Sequence, residues 1–197
     1  MFRKKDYVFM VLLPVVLYLT RLAPGDFLFN GGLVTVGLWT AFYAREAVVH
    51  FCAVIAAKAE KAGDIELVKK YYRMIVSLLP NSLSGMFAGG ALCAMEGKWE
   101  LAEQLFRRFL EKRPWDFMAG YNLGLVLFKQ GKTDDAKKWL KTVLHFQPWH
   151  EHAHVVLGDA YHAEGDHEKA ERHYQIAWRL GNRVGQLKML YPELRGC

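Results

Sequence analysis

The stretch at residues 117–150, FMAGYNLGLVLFKQGKTDDAKKWLKTVLHFQPWH, decides the fold. Its apolar residues fall at helical intervals on both sides of Gly131: Leu123, Val126 and Leu127 before it, then Ala136, Leu140 and Val143 after it. Gly131 is placed to stop the first helix, because glycine adopts the left-handed conformation that closes a helix end. Asp134 and Asp135 then open a second helix, where acidic side chains suit the positive end of the dipole. Pro148 prevents that helix from continuing. The reading is a helical hairpin whose apolar stripe is too large to be buried by the pair alone.

The same arrangement recurs with a period of 34 residues: Gly63, Gly97, Gly131 and Gly165 are in phase, as are Pro80, Pro114 and Pro148. One period on come Leu157, Gly158, Tyr161, Ala170, Tyr174 and Ala177; one period back come Gly89, Gly90, Cys93, Ala102, Phe106 and Phe109. A weaker copy holds Ile55, Ala56, Ala59, Val68, Tyr72 and Ile75. Small residues at Gly124, Gly158, Ala136 and Ala170 let paired helices approach closely. A fixed period of this length is the mark of a repeat array in which neighbours stack to bury a continuous core.

These residues resemble the tetratricopeptide repeat, a helix–turn–helix unit of this length. The resemblance implies an all-α, right-handed α-solenoid of four hairpins, at 47–80, 81–114, 115–148 and 149–182, together residues 47–182. Residues 183–197 follow, with Val184, Leu187, Leu190 and Tyr191 forming a short helix that caps the last repeat. It also implies a concave groove lined by the first helix of each pair, which takes a protein or peptide. Carried over by position, that surface holds Phe87, Ala91 and Met95, then Met118, Tyr121, Asn122, Leu125, Phe128 and Lys129, then Val155, Asp159 and His162. Its apolar and aromatic middle suits an amphipathic helix or an extended apolar peptide, or else a buried contact. Asn122 and Lys129 resemble part of the carboxylate clamp of chaperone-binding members. The other basic positions of that clamp hold Ala, Phe and Met here.

Residues 1–46 read differently. Arg3, Lys4 and Lys5 precede an apolar run over 7–22. Ala23, Pro24, Gly25 and Asp26 signal a turn, and a second apolar run covers 27–43 before Arg45 and Glu46. A hydrophobic helical hairpin anchored in a membrane is expected, although each run is short against the ~20 residues of a full span. A cleaved signal peptide fits less well, because Arg21 and Ala23 sit where a small-x-small cleavage site would be needed and a second apolar run follows at once. Basic residues flanking the runs (Arg3, Lys4 and Lys5; Arg45, Lys58 and Lys61) place the N-terminus and the repeats on the cytoplasmic side, as at a bacterial inner membrane. The second run has no strong stop before the first repeat.

The net charge of +6 is spread along the chain, which with the absence of a recognised motif argues against nucleic acid. Lys69, Lys70, Arg73, Arg107, Arg108, Lys137, Lys138 and Lys141 recur on the second helices as a solvated or lipid-facing stripe. Cys52 and Cys93 read as small core residues, and three cysteines at long spacings do not make a zinc site. His150 and His154 are four apart but lack the His-Glu-x-x-His order of a zinc protease. Trp115 and Trp149, each following a proline, are expected to pack between repeats. No catalytic set, cofactor or metal is expected. The function expected is a membrane-anchored scaffold or adaptor for protein–protein interaction. The alternatives are a structural accessory subunit of a membrane complex, and an envelope assembly factor resembling the repeat proteins of c-type cytochrome biogenesis.

Overall fold

The computed structural model describes residues 26–190 and 192–195. The chain divides into two compact units, Met1–Phe51 and Cys52–Cys197. Helix α1 (Asp26–Ala62) begins in the first. There the apolar run 27–43 lies within α1, with the rings of Trp39 and Tyr43 4.5 Å apart. α1 continues past Arg45 and Glu46 without a break. The run 7–22, the basic cluster Arg3, Lys4 and Lys5, and Ala23, Pro24 and Gly25 lie outside the described residues. Among the described residues, no helix is long and apolar enough to cross a membrane.

In the second unit the end of α1 is followed by α2 (Ile65–Leu78), α3 (Leu83–Met95), α4 (Trp99–Lys112), α5 (Phe117–Lys129), α6 (Thr133–Phe146), α7 (Glu151–Ala163), α8 (His167–Arg179) and α9 (Arg183–Leu190), with a 3-10 turn at Pro192–Leu194. From α2 to α9 each helix packs on its neighbours in chain order, as consecutive hairpins. This is the expected solenoid of helical pairs.

The turn chemistry is what the sequence dictates. Gly131 takes φ 77°, and the Lys132 N–H returns to the Leu127 carbonyl at 2.9 Å, closing α5. The other in-phase glycines repeat this geometry. At the opposite ends, Leu79, Arg113 and Gln147 precede the three prolines and sit at φ near −130° to −139° with ψ of 63–72°. The proline ring excludes the helical conformation from the residue before it, so each second helix stops there. Helix starts are capped by side chains: Asp64, Ser82, Asp116 and Asp166 each accept a backbone N–H three residues on, worth about 1 kcal/mol apiece.

The core follows the same period. Residues 56, 90, 124 and 158 are Ala, Gly, Gly and Gly, and residues 72, 106, 140 and 174 are Tyr, Phe, Leu and Tyr. A Cβ added at Gly90, Gly124 or Gly158 would lie 3.0, 2.9 or 2.6 Å from Phe106, Leu140 or Tyr174 respectively. Each small residue therefore receives the large side chain sixteen positions later. Ala102, Ala136 and Ala170 are fully buried beside them.

The C-terminal helix forms, as Arg183–Leu190, while Tyr191 lies outside the described residues. Val184 and Leu187 are 47% and 46% exposed, whereas Asn182 and Lys188 are buried. Gly185 is the contact point, since a Cβ there would lie 2.9 Å from that of Ala177. Polar bonds seat this helix. Lys188 Nζ donates to both carboxylate oxygens of Asp159 at 2.6 and 2.7 Å, and Asn182 Oδ1 caps the Gly185 N–H at 3.0 Å.

A candidate protein-binding groove

A groove of about 760 Å³ opens in the second unit between α1, α3 and α5. Its walls carry Ala53 and Ala57 from α1, Phe87, Ala91 and Met95 from α3, and Met118, Tyr121, Asn122, Leu125 and Lys129 from α5. Tyr72, Ile75 and Phe109 of the second helices reach it from behind. Small residues on α1 and α3 make the space, and aromatic rings on α3 and α5 line it. Phe87 is held edge-on by Phe106 and Phe109 at ring distances of 5.8 and 5.7 Å. Glu60, Arg113, Asp116 and Lys129 supply charge of both signs around the groove. Burial, with Glu60 and Glu151 nearby, pushes the Tyr121 hydroxyl up to about 12, so it stays protonated and able to donate. The Asn122 amide donates to the Met118 carbonyl of its own helix at 2.9 Å.

Eight of the twelve residues assigned from the sequence line this groove: Phe87, Ala91, Met95, Met118, Tyr121, Asn122, Leu125 and Lys129. The other four do not. Phe128 packs against the core of the last two repeats. Val155 is buried. Asp159 is 5% exposed, bonded to Lys188 and to the Tyr174 hydroxyl at 2.7 Å. His162 sits with its ring 5.0 Å from that of His167. Family position alone put these four on the surface, but the C-terminal helix brings Lys188 to the last repeat and turns Asp159 into a core ion pair. Glu60 was missed in the sequence, although it follows Ala53 and Ala57 at i+7 and i+3 on one helix face.

Other sequence features resolve structurally. In the basic stripe, Lys69 pairs with Glu66, Arg73 with Glu96, Arg107 with Glu103, Lys137 with Glu164 and Lys138 with Asp135. Much of its charge is thus locally neutralised. Cys52 is buried in the core, and Cys93 is half-buried with its thiol pushed up by burial. Trp115 and Trp149 do not pack between repeats. They are 72% and 65% exposed, because each stands one residue beyond the proline, where the chain has left the helix.

Several of the histidines make hydrogen bonds. His154 Nε2 lies 3.0 Å from the Pro148 carbonyl, which can only accept, so that nitrogen carries the proton. His154 Nδ1 then accepts from His173 Nδ1 at 3.0 Å. The His173 ring stacks on Tyr161 at 5.6 Å. Burial, with His154 and Lys141 close by, lowers its basicity to about 4. His150 instead caps α7, its Nδ1 accepting the Ala153 N–H at 3.2 Å. Among the described residues, no three His, Cys, Asp or Glu side chains are grouped to hold a metal ion.

Two overlapping segments, residues 96–148 and 127–179, match the tetratricopeptide repeat family. The chain is a tetratricopeptide repeat protein. The repeat chain is also similar in fold to solved structures of MamA. The structure described as MamA 41-end from Desulfovibrio magneticus RS-1 is 24% identical, with a TM-score of 0.55, over 75% of this chain and 85% of that one. The MamA RS-1 ArsTM double mutant is 23% identical, with a TM-score of 0.54, over 75% and 84%. A further crystal structure of MamA is 19% identical, with a TM-score of 0.51, over 70% and 81%. At these identities the likeness concerns the fold. A comparison with curated proteins gives no match.

Proposed function

We propose that this tetratricopeptide repeat protein is a scaffold that holds a partner protein through the groove between α1, α3 and α5. The observation that carries the reading is the groove itself: about 760 Å³, with apolar and aromatic walls and charged side chains among its lining. An amphipathic helix fits that chemistry. Its apolar stripe meets Phe87, Met118 and Leu125, and its polar flanks meet Glu60, Arg113 and Lys129. The protein acts by binding and not by catalysis. The test is a library of short amphipathic helical peptides screened by fluorescence anisotropy. Binders are expected that lose at least about tenfold on Leu125→Glu, since a charge placed on an apolar contact face is left without a partner. Peptides that bind Leu125→Glu as well as the parent chain would move the site elsewhere.

We further propose that residues 1–46 hold the scaffold at a membrane, with the repeats on the cytoplasmic side of a bacterial inner membrane. The apolar runs 7–22 and 27–43 and the basic residues flanking them support this. A topology reporter fused after Cys197 tests it. Activity only on the cytoplasmic side agrees, and activity on the far side reverses the orientation and favours the envelope assembly alternative.

A further inference from the structure

Among the described residues, Met74, Met95 and Met118 stand open to solvent at 42%, 37% and 48% exposure, whereas Met86 is 2% exposed. Met95 and Met118 line the groove, and Met74 does not. Met95 is the last residue of α3, and Met118 is the second of α5. As first helices of successive hairpins, α3 and α5 run in the same direction. The two thioethers therefore lie toward opposite ends of the groove, with Phe87, Ala91 and Leu125 on the wall between them.

Methionine suits an apolar contact wall, because its flexible thioether adapts to varied side chains. It is also a group whose polarity a two-electron oxidation changes. A lone pair on the sulfur attacks one oxygen of hydrogen peroxide. The S–O bond forms, the O–O bond breaks, and a proton passes to the departing oxygen, which leaves as water. The sulfur loses two electrons and the peroxide is reduced. The product is a sulfoxide, a polar acceptor with no donor of its own. Pressed against the apolar stripe of a helix, that oxygen loses water and gains no partner. The aliphatic and phenyl side chains of the wall are inert to peroxide. The cysteines of the second unit are poorer targets: Cys52 is buried, and Cys93 is half-buried with its thiol pushed up by burial, which keeps it from the reactive thiolate form.

We infer that oxidation of Met95 and Met118 to sulfoxides switches the groove off, so that peroxide releases the partner; the inference rests on the groove being the partner site. Both side chains are already accessible, so the step needs no opening of the fold. Neither belongs to the buried core, so the repeats stay folded while the contact wall changes. A sulfoxide toward each end interrupts the apolar stripe at two places. Methionine sulfoxide reductases reverse the step, which makes the loss of binding a switch rather than damage.

The test treats the full chain with hydrogen peroxide, removes the peroxide with catalase, and maps each sulfoxide by mass spectrometry. Binding is then read by anisotropy with a methionine-free amphipathic peptide that the parent chain binds and Leu125→Glu does not. Met95 and Met118 should be oxidised while Met86 is still intact, and the peptide Kd should rise about tenfold or more. Met95→Leu/Met118→Leu nearly conserves volume, so it should bind the peptide before treatment and keep it afterwards; Met74→Leu should give no protection. Treating the oxidised parent chain with methionine sulfoxide reductases should restore binding, which checks the switch without any substitution. Undiminished binding with both sulfoxides present would overturn the inference. So would an equal loss in the double leucine variant, oxidation of Met86 as fast as that of Met95 and Met118, or no recovery on reduction. If no peptide distinguishes the parent chain from Leu125→Glu, the groove reading itself fails and this inference with it; the other outcomes sink the switch alone.

Discussion

At the residue scale, the close approach of paired helices depends on single atoms. A methyl at Gly158 would lie 2.6 Å from Cε1 of Tyr174, and Tyr174 is fully buried with its hydroxyl on Asp159. The ring cannot swing aside without breaking that bond. Gly158→Ala should therefore destabilise the protein by about 1–3 kcal/mol in urea unfolding. An unchanged midpoint would show that α7 and α8 are not so tightly apposed. Asp159 and Lys188 make a second residue-scale case, with side chains 7% and 6% exposed. Removing one partner strands a buried charge, so Lys188→Met should cost about 3–5 kcal/mol. The double change Asp159→Leu/Lys188→Met should recover much of that loss, and a double variant no better than the single would contradict the pairing. The sequence showed Gly158 at once, because its neighbours one period away are small as well. It could not show that Asp159 is a core residue, because its partner lies on a helix outside the period.

At the scale of elements, the His154–His173 pair ties α7 to α8 and, through the Pro148 carbonyl, to the end of α6. Lys141 of α6 and the Tyr161 ring of α7 face it. Both nitrogens that meet, Nδ1 of each ring, share one proton, so a second proton turns the bond into a repulsion. The sign follows. Folding lowers the histidine pKa from 6.5 to about 4 for His173, and lowers that of His154 as well through burial. The unfolded chain therefore takes up protons first. The stabilisation is complete above the unfolded value of 6.5 and is lost as pH falls from there toward 4. Lowering the pH to about 5 should remove roughly 1–2 kcal/mol. His173→Phe should flatten this dependence in paired urea titrations; the same slope in that variant would place the titration elsewhere. Helix positions and turns were legible because Gly and Pro act locally. The seating of α9 was not legible, because Val184 and Leu187, the apolar residues in helical register, are exposed, and the polar Asn182 and Lys188 are buried with Gly185.

For the whole molecule, the repeat period makes the architecture readable before any coordinates. It also places most of the groove, since Phe87, Ala91, Met95 and the α5 residues follow from counting along the first helices. What counting misses is the depth contributed by Tyr72, Ile75 and Phe109, which come from second helices and meet only on folding. The central claim is that this groove, and not the outer faces, receives a partner protein. The most direct measurement places a photoreactive benzoylphenylalanine at Leu125 on the groove wall, and separately at Arg108 on the exposed side of α4, in the full chain inside its own cells. Irradiation should give a discrete adduct from Leu125, removed by a second change of Phe87→Glu, and none from Arg108. Equal adducts from both positions, or an adduct from Arg108 alone, would contradict the assignment of the groove as the binding surface.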